Sequence, residues 1–374
     1  MPDLSSCNLL SELWWRGVHA VGGREATHQF LSRNAVGTPT HILAIGKAAE
    51  PMYLAAEGVF GGHIPHLVLT KTGHASRLKG DNVIEGEHPT PGENSLRAGQ
   101  AAMDFVTACG PGDTLLVLLS GGASAIAELP EDGITLADIV ERTRALLASG
   151  RNIGEVNAAR VAASRIKGGK LLSHFKGDAI TVLAISDVEG DAIGTIGSGV
   201  AAGNLVHRPR YESYIVASNR IAREAIADAA LSTDVPVAGN EETLYRDVAD
   251  AASAIAATLQ GEETGLWIWG GEPTVILPDA PGRGGRNQEL ALRIAKLIDG
   301  HTDTTVFVAG TDGTDGPTDA AGACVTGATW SRGPGGDAAL DGADSGSWFD
   351  RYGGLVTTGP TGTNVMDIVI ALKR

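Results

Sequence analysis

Residues 282–319 combine two groups of side chains that suit phosphate chemistry. The first is a glycine-rich turn with basic residues, namely Arg283, Gly284, Gly285 and Arg286. The second is another glycine-rich turn, residues 310–319, which contains Asp312 and Asp315. Bare amides and guanidinium groups bind phosphate oxygens, and clustered carboxylates bind a hard cation such as Mg²⁺. The stretch therefore predicts nucleotide or phosphoryl chemistry, with Arg286 at the phosphate and Asp312 and Asp315 as metal ligands.

Similar polar loops follow other apolar segments of the chain. They are Gly46-Lys47, SGGASA (120–125), SDVEGD (186–191), GGEPT (270–274) and GTDGTDGPTD (310–319). Ligands of open α/β sheets bind beyond the carboxyl ends of the strands. One such loop is usually a tight turn, but five of them in one chain favour a shared active cleft.

Lys47 and the loop SGGASA (120–125) are candidates for phosphate binding. Lys47 follows an apolar strand at the predicted N-terminus of a helix, where the backbone already attracts anions. Unobstructed amides are predicted to cradle an anion in the next loop, at Ser120, Gly121, Gly122 and Ser124. The alternative for this loop is a turn that only lets a helix pack closely.

A polar stripe is predicted on a helix over residues 152–172 that stops at Gly168-Gly169. Its members, at i, i+3, i+7 and i+10, are Asn157, Arg160, Ser164 and Lys167. Two cations on one face of an acidic protein are suited to a carboxylate or phosphate, so we predict that Arg160 and Lys167 bind the substrate carboxylate. The alternative is a solvated helix face.

The loop SDVEGD places two carboxylates four residues apart. Asp187 and Asp191 are predicted either to bind Mg²⁺ or to accept a proton from a substrate hydroxyl. Capping of a following helix is the alternative. His88, in EGEHPTP, is assigned to a turn in preference to catalysis.

Composition excludes several classes of protein. The net charge of −15 argues against a general nucleic-acid or anionic-membrane surface. Three scattered cysteines show neither metal-ligand spacing nor a disulfide framework, which suits a reducing cytosol. The first residues lack signal-peptide features, and no apolar run reaches the roughly 18 residues that span a bilayer. We therefore expect a cytoplasmic protein without a membrane or nucleic-acid partner.

The alternation of strands and helices predicts parallel sheets flanked by helices. A length of 374 residues favours two domains, and we place them at residues 1–240 and 241–374, after a polar junction at 231–243. Strands are predicted at His41–Ile45, Leu67–Thr70, Thr114–Leu119, Ile180–Ile185 and Tyr214–Ala217, and then at Leu266–Trp269, Val275–Leu277, Thr305–Ala309, Leu355–Thr357 and Ile368–Ala371.

Eight motifs, in this order along the chain, resemble the class II glycerate 2-kinase family with its C-terminal MOFRL domain. They are AIGKAAEPM, GEHPTPGENS, LLSGGASA, NAARVAASRIKGGKL, ISDVEGD, GRGGRNQE, GTDGTDGPTDAAGA and TTGPTGTNVMD. The matching stretches extend from about residue 40 to about residue 370, so the resemblance covers nearly the whole chain.

The resemblance implies an ATP- and Mg²⁺-dependent kinase that phosphorylates the 2-hydroxyl of D-glycerate. It also implies a Rossmann-like, doubly wound N-terminal domain and a smaller α/β MOFRL domain with a mixed sheet, with the site in the cleft between them. The family's positions correspond here to Lys47, Arg160, Lys167, Asp187, Asp191, Arg286, Asp312, Asp315, Thr361 and Asn364. Thr361 and Asn364 are assigned to the substrate, and Gly284 and Gly285 to phosphate.

Two other functions stay open. One is an NAD(P)H-dependent reductase of hydroxypyruvate or tartronate semialdehyde, although the nearest dinucleotide pattern, GSGVAA, does not directly follow a strand. The other is a non-catalytic sensor of sugar acids or nucleotides. Arg151 departs from the family pattern, and an added cation there is expected to favour a longer or more acidic substrate. A homodimer is compatible with the sequence, which does not determine the oligomeric state.

Overall fold

The computed structural model describes residues 4–148, 153–203 and 209–374, and Arg151 lies outside these ranges. The chain forms two compact units. The N-terminal unit is Gly22–Ser218, and the C-terminal unit is Asn219–Arg374 together with the segment that ends at Val21.

The N-terminal unit is built on a six-stranded sheet in which every pairing is parallel. Its strands are β1 (His41–Ile45), β2 (His66–Lys71), β3 (Val83–Gly86), β4 (Thr114–Leu119), β5 (Ala179–Ile185) and β6 (Arg210–Ala217). Their order is β3-β2-β1-β4-β5-β6, which is the order of a doubly wound Rossmann-like sheet. The strand order reverses between β1 and β4, where such sheets bind their ligands.

Helices cover this sheet. They are α2 (Gly23–Arg33), α3 (Ala49–Phe60), α4 (Glu93–Ala108), α5 (Ala123–Ile126), α6 (Leu136–Ala148) and α7 (Ile153–Ala162). The central strands are almost continuously apolar because both of their faces are covered. On one face Leu43 and Val117 belong to a buried cluster with Ala98 and Val106 of α4.

The predicted helix over residues 152–172 is shorter than expected, because α7 ends at Ala162. There the chain leaves the helix to bond with an extended segment: Arg165 N–H donates to Leu129 O at 2.7 Å, and Glu131 N–H donates to Ala163 O at 3.0 Å. The predicted helical stripe was therefore wrong beyond Arg160, and Ser164 and Lys167 follow the helix.

The C-terminal unit contains a second six-stranded sheet. Its strands are β7 (Val237–Glu242), β8 (Gly265–Gly271), β9 (Thr304–Gly310), β10 (Gly322–Thr326), β11 (Leu355–Val356) and β12 (Asp367–Lys373). The order is β11-β10-β9-β12-β8-β7. Only β7 and β8 pair in parallel, so the sheet is mixed, as the resemblance implied.

The described residues of this unit form six α-helices. They are α1 (Leu4–Ala20), α8 (Asn219–Ala230), α9 (Val248–Gln260), α10 (Arg286–Leu297), α11 (Gly336–Asp341) and α12 (Ser345–Tyr352). Ile255 of α9, Leu290 and Ile294 of α10 and Trp348 of α12 are buried in one apolar cluster with the strands. On α1, Trp14 packs against Phe307 of β9, with ring centroids 5.9 Å apart.

Three details differ from the predicted organisation. The boundary predicted between residues 240 and 241 falls inside β7, and the compact units meet at Ser218 and Asn219 instead. The strand predicted at Val275–Leu277 is absent from this described segment, where Ile276 is 89% exposed. The strands β3, β7 and β10 were not predicted.

The cysteine prediction was also wrong, because Cys7 of α1 forms a disulfide with Cys324 of β10. The two residues are 317 positions apart in the chain, so their spacing gave no sign of the pairing. Cys109 is the free cysteine. Among the described residues, no helix has both the length and the apolar character needed to cross a membrane.

Candidate functional site

The loops after β1 and β4 are hydrogen-bonded to each other at the carboxyl edge of the N-terminal sheet. Lys47 N–H donates to Gly121 O at 2.9 Å, and Ala48 N–H donates to Ser120 Oγ at 3.0 Å. Gly46 has a φ of +126°, a conformation that favours glycine and turns the chain out of β1. The structure therefore brings together the predicted residues Lys47, Ser120 and Gly121 at the point where the strand order reverses.

Gly122 lets two polar side chains approach this loop. Its φ is +82°, and a Cβ added there would lie 3.1 Å from Lys47 Cγ and 3.1 Å from His88 Cδ2. A larger residue at this position would push both side chains away. His88, which the sequence assigned to a turn, therefore lies beside Lys47, and its place in the EGEHPTP motif was the available signal.

A chain of polar side chains connects the β4 loop with α7. The Oγ atoms of Ser124 and Ser198 are 2.9 Å apart, and Ser198 Oγ donates to Asn157 Oδ1 at 3.1 Å. Ser198 adopts a φ of +56°, which is uncommon for a residue other than glycine and is often found at functional sites. Asn157 precedes Arg160 by three residues on α7. The hydrogen-bonded side chains therefore connect the glycine loop, residues 120–125, with the cationic side chain of Arg160.

Arg160, Lys167 and Glu128 form an electrostatic cluster. Lys167 is 2% exposed, and its Nζ bonds to Glu128 Oε2, which is equally buried. Burial lowers the pKa of Lys167, and the Glu128 carboxylate opposes this effect. Burial likewise lowers the pKa of Arg160, again opposed by Glu128. Two cations and one carboxylate leave a net positive charge at this place.

This geometry changes the role of Lys167. The sequence assigned it to direct binding of the substrate, but its ammonium group is enclosed and already bonded to Glu128. Arg160 is only partly buried. We therefore correct the assignment: Lys167 holds Glu128 and adds positive charge, and Arg160 is the side chain of this cluster that can reach a ligand.

Asp187 and Asp191 follow β5, at the same edge of the sheet as the β4 loop. Both are partly exposed. Asp191 has a φ of +55°, and its N–H donates to Val188 O at 3.3 Å. The compact loop keeps both carboxylates at the carboxyl end of the sheet, where a cation or a substrate hydroxyl can reach them.

A second polar site lies at the edge of the C-terminal sheet around Arg286, the first residue of α10. Arg286 Nε donates to Asp367 Oδ2 at 2.5 Å, and its Nη1 lies 2.6 Å from Glu272 Oε1. Burial disfavours the charge of the guanidinium, but the two carboxylates outweigh it and raise the pKa of Arg286. The sequence missed both partners, although they lie in the GGEPT and TTGPTGTNVMD motifs.

The two residues after Arg286 add buried amide groups to this site. Asn287 Nδ2 donates to Asp367 Oδ1 at 2.9 Å. Within the described part of the chain, Asn287 Oδ1 and Gln288 Oε1 accept no hydrogen bond although both side chains are buried. Buried acceptors without a hydrogen bond are uncommon in folded proteins. The start of α10 therefore differs from most buried helix termini in having two of them.

Asp315 caps α10. Its Oδ1 accepts the N–H of Asn287 at 3.0 Å and its Oδ2 accepts the N–H of Gln288 at 2.8 Å, and the residue is 3% exposed. Burial raises the pKa of Asp315 to about 7 despite these two bonds. The structure thus contradicts its predicted role as a metal ligand, because both oxygens already satisfy the open amides of the helix.

Gly284 and Gly285 let the basic turn pack closely. A Cβ on Gly285 would lie 2.3 Å from Asp315 Cγ, and one on Gly284 would lie 2.7 Å from Ser345 Oγ. These glycines are therefore required by packing, and their predicted contact with phosphate stays a prediction.

The remaining predicted residues lie in two bonded loops near Arg286. Thr361 Oγ1 donates to Thr311 O at 2.6 Å, and Asp312 Oδ1 accepts Thr314 N–H at 3.0 Å. Asn364 Oδ1 accepts the N–H of Met366 at 3.4 Å. Both loops reach the Arg286 site because Gly310 and Asp367 are register partners.

The accessible carboxylates suit a cation that has only one or two protein ligands. No three carboxylates of the described residues gather within ligand distance of one another. Mg²⁺ in phosphoryl-transfer sites is usually held by one or two carboxylates together with substrate phosphates and water. Asp187, Asp191 and Asp312 are partly exposed and fit such a role, whereas Asp315 does not.

Known proteins resemble this chain over most of its length. Residues 9–224 match a domain of unknown function, DUF4147, and residues 265–367 match the MOFRL family. A glycerate 2-kinase from Pyrococcus horikoshii is 34% identical, with 89% of this chain and 87% of that protein covered. A protein from Agrobacterium vitis that is provisionally named a hydroxypyruvate reductase is also 34% identical, over 87% of this chain and 97% of its own length. A crystal structure of a glycerate kinase from Thermotoga maritima superimposes with a TM-score of 0.86 at 30% identity, covering 99% of this chain and 100% of that one.

Proposed function

This chain belongs to the class II glycerate 2-kinase family, and we propose that it transfers the γ-phosphoryl group of ATP to the 2-hydroxyl of D-glycerate. The products are 2-phosphoglycerate and ADP, and the proton of the hydroxyl passes to a base. Catalysis of this reaction consists mainly of positioning and of neutralising charge. The proposed partners are thus ATP and a small hydroxy acid.

The observation that carries this proposal is the positive cluster of Arg160, Lys167 and Glu128 beside the polar chain from Ser124 to Asn157. A glycerate carboxylate matches the planar guanidinium of Arg160. Asn157 is one helical turn away and supplies an amide for a hydroxyl group. The glycine loop at the other end of the polar chain suits phosphate oxygens. The N-terminal unit therefore offers a carboxylate site and a phosphate site on linked side chains.

Lys47 is assigned to the transferring phosphoryl group. Its backbone N–H is fixed on Gly121, and its side chain passes Gly122 of the same loop. An ammonium group there offsets the negative charge of the equatorial oxygens during transfer. Arg286, which Asp367 and Glu272 keep charged, is proposed to bind a phosphate group of ATP.

A carboxylate of the Asp187 loop is proposed to accept the hydroxyl proton, with Asp191 or Asp187 in that role. Mg²⁺, when bound, would neutralise the phosphate oxygens of ATP, and Asp312 or the second carboxylate of the Asp187 loop would hold it.

The test is ADP release, measured with D-glycerate and with a panel of other small hydroxy acids. ³¹P NMR of the product distinguishes phosphorylation at the 2-hydroxyl from that at the 3-hydroxyl. We expect ADP release with D-glycerate and a 2-phosphate product. NADH consumption with hydroxypyruvate, without ADP release from any acid, would establish the reductase instead. Ligand-induced thermal stabilisation without any product would indicate a sensor.

The assignment of Lys47 is tested by Lys47→Ala, which we expect to lower kcat by roughly 100-fold or more with an unchanged fold. Lys79→Ala, at an exposed position, is the matched control and should keep full activity. Undiminished turnover of Lys47→Ala would remove this residue from the mechanism. The cytoplasmic location and the homodimer remain proposals, and light scattering of the purified protein tests the second.

A further inference from the structure

Three metal-binding side chains meet at the amino ends of two central strands of the N-terminal sheet. They are His41, the first residue of β1; Cys109, which follows α4; and Asp113, which precedes β4. A ring nitrogen of His41, Cys109 Sγ and a carboxylate oxygen of Asp113 all lie within 4.8 Å of one another. None of these residues belongs to the motifs of the proposed kinase site.

We propose that His41, Cys109 and Asp113 form a binding site for a divalent transition-metal ion, with Zn²⁺ as the best-matched ion. Zn²⁺ is bound in proteins by cysteine sulfur, histidine nitrogen and carboxylate oxygen, and its usual geometry is tetrahedral. One thiolate, one imidazole and one carboxylate supply three of the four positions. A hard cation such as Mg²⁺ prefers oxygen ligands and fits this donor set poorly.

The surroundings hold the Asp113 carboxylate and the His41 ring in place. Asp113 Oδ2 accepts Gly110 N–H at 2.8 Å, which leaves Oδ1 directed at His41, 3.7 Å from Nδ1. The ring of His41 packs edge-on against Phe105, with centroids 5.6 Å apart. Thr40 Oγ1 donates to Thr114 O at 3.0 Å and ties the two strands together at this end. Thr40 Oγ1 also lies 2.9 Å from His41 Nδ1, a contact that an ion bound at Nδ1 would replace.

Exposure leaves a route to this site from solvent. Cys109 is buried at 1% exposure, whereas the side chains of His41 and Asp113 are 21% and 29% exposed. An ion can therefore enter on the side of the imidazole and the carboxylate and keep a water molecule as its fourth ligand.

The site is separate from the proposed kinase chemistry. His41 is the first residue of β1, a strand of five residues, and Lys47 lies two positions beyond its last residue, Ile45. A strand rises about 3.3 Å per residue, so the first and last residues of β1 are roughly 13 Å apart. The inference does not rest on the proposed function, and its test needs no kinase assay.

The experiment is a titration of the full-length protein, purified without metal, with Co²⁺ as a spectroscopic substitute for Zn²⁺. We expect one Co²⁺ per chain, visible absorption of a low-symmetry four-coordinate ion, and thiolate-to-cobalt charge-transfer absorption in the near ultraviolet. Added Zn²⁺ should displace the Co²⁺ and abolish both signals. Absence of charge-transfer absorption in the wild-type protein would overturn the proposal.

Variants assign the ligands. Cys109→Ala should abolish the charge-transfer absorption, and His41→Gln and Asp113→Asn should each weaken Co²⁺ binding by roughly 100-fold or more, since loss of an outer-shell partner alone costs 10–100-fold. His28→Gln, at an exposed position of α2, is the matched control and should bind as the wild type does. The variant with both Cys7→Ser and Cys324→Ser should keep the absorption. Two results would place the ion elsewhere and refute the site. One is loss of the charge-transfer absorption in the variant with Cys7→Ser and Cys324→Ser, and the other is unchanged Co²⁺ binding by both His41→Gln and Asp113→Asn.

Discussion

The carboxylate of Asp367 holds the guanidinium of Arg286 from beneath the surface of the C-terminal unit. Asp367 is 1% exposed, whereas the side chain of Arg286 is 37% exposed. The buried partner also accepts a hydrogen bond from Asn287, so its own position is fixed on two sides. Arg286 is thereby presented to solvent in one orientation, which is what a preorganised phosphate-binding group requires.

Asp367→Asn tests whether this orientation matters. We expect kcat/KM for ATP to fall by roughly 10- to 100-fold, because a displacement of about 1 Å at a positioning group can cost 100-fold. Steady-state kinetics with varied ATP measure the effect. The KM for glycerate should change little, since that acid is assigned to Arg160.

Asp337→Asn is the matched control for this prediction. Asp337 forms an exposed ion pair with Lys296 in the same unit, and pairs of that kind contribute little. Its kinetics should match those of the wild type. Wild-type kcat/KM in Asp367→Asn, or an equal loss in the control, would contradict a positioning role.

Strands buried on both faces were readable from the sequence. The bounds of β1 and β4 agree with the predicted ones because continuous apolar runs announce such strands. β3 and β7 were missed because most of their residues are partly exposed and β7 is polar. β10 is buried, but it was missed because it is short, consists mostly of small residues (GACVT) and overlaps the end of a loop motif. Sequence patterns thus located the strands that are covered on both faces and missed the edge strands β3 and β7.

Candidate site residues were readable where they share a loop or a helix. The placing of Lys47 against the β4 loop followed from the rule that parallel strands end at one edge. Partners distant in sequence were not readable: Asp367 lies 81 positions from Arg286, and Glu128 lies 39 positions from Lys167. The capping role of Asp315 was hidden for the same reason, since a carboxylate in a glycine-rich loop suits a cation and a helix terminus equally well.

Asp315→Ala distinguishes capping from metal binding. Loss of both hydrogen bonds to the start of α10 should lower the free energy of unfolding by about 1–2 kcal/mol, measured by urea denaturation. The Mg²⁺ concentration that gives half-maximal activity should stay unchanged. The comparison is Asp312→Ala, which should raise that concentration if Asp312 helps to hold the ion. A raised Mg²⁺ requirement in Asp315→Ala would restore its assignment as a ligand.

Because Lys167 and Glu128 form a buried pair, we expect substitutions of these two residues to have strongly non-additive effects on the free energy of unfolding. Lys167→Met removes the ammonium group bonded to the buried Glu128 carboxylate, so the free energy of unfolding should fall by about 3–5 kcal/mol. Glu128→Leu in the same chain should restore most of this loss, because the lone charge is then removed. Equilibrium unfolding of the single and double variants measures the coupling.

Lys170→Met is the control for that pair. Lys170 bonds to Glu131, with the two side chains 37% and 41% exposed, and also donates to the carbonyls of Val161 and Ser164. Its loss leaves no buried charge and should therefore cost less than the loss of Lys167. Additive effects of the Lys167 and Glu128 changes would show that the two side chains do not interact as described.

Glu50 predicts the response of the N-terminal unit to acid. Its carboxylate is 5% exposed and accepts the N–H groups of Arg77 at 2.8 Å and Leu78 at 2.9 Å, and that of Ser76 at 3.2 Å. Burial alone would raise the pKa of Glu50, but the hydrogen bonds outweigh it and lower the pKa below its usual 4.5. The folded state therefore favours the charged form. Its contribution is fully present above pH 4.5 and is lost as the pH falls through the lowered pKa.

Glu50→Gln should consequently destabilise the protein by about 1–3 kcal/mol at neutral pH, because an amide offers one acceptor where the backbone presents several donors. The difference from the wild type should narrow as the pH falls below 4.5, where the carboxylate of the wild type becomes protonated. Urea denaturation at a series of pH values measures both effects. Glu141→Gln, at an exposed position of α6, is the control and should parallel the wild type throughout. A difference between Glu50→Gln and the wild type that grows toward acid pH would mean that the folded state raises the pKa of Glu50, against the sign derived from its hydrogen bonds.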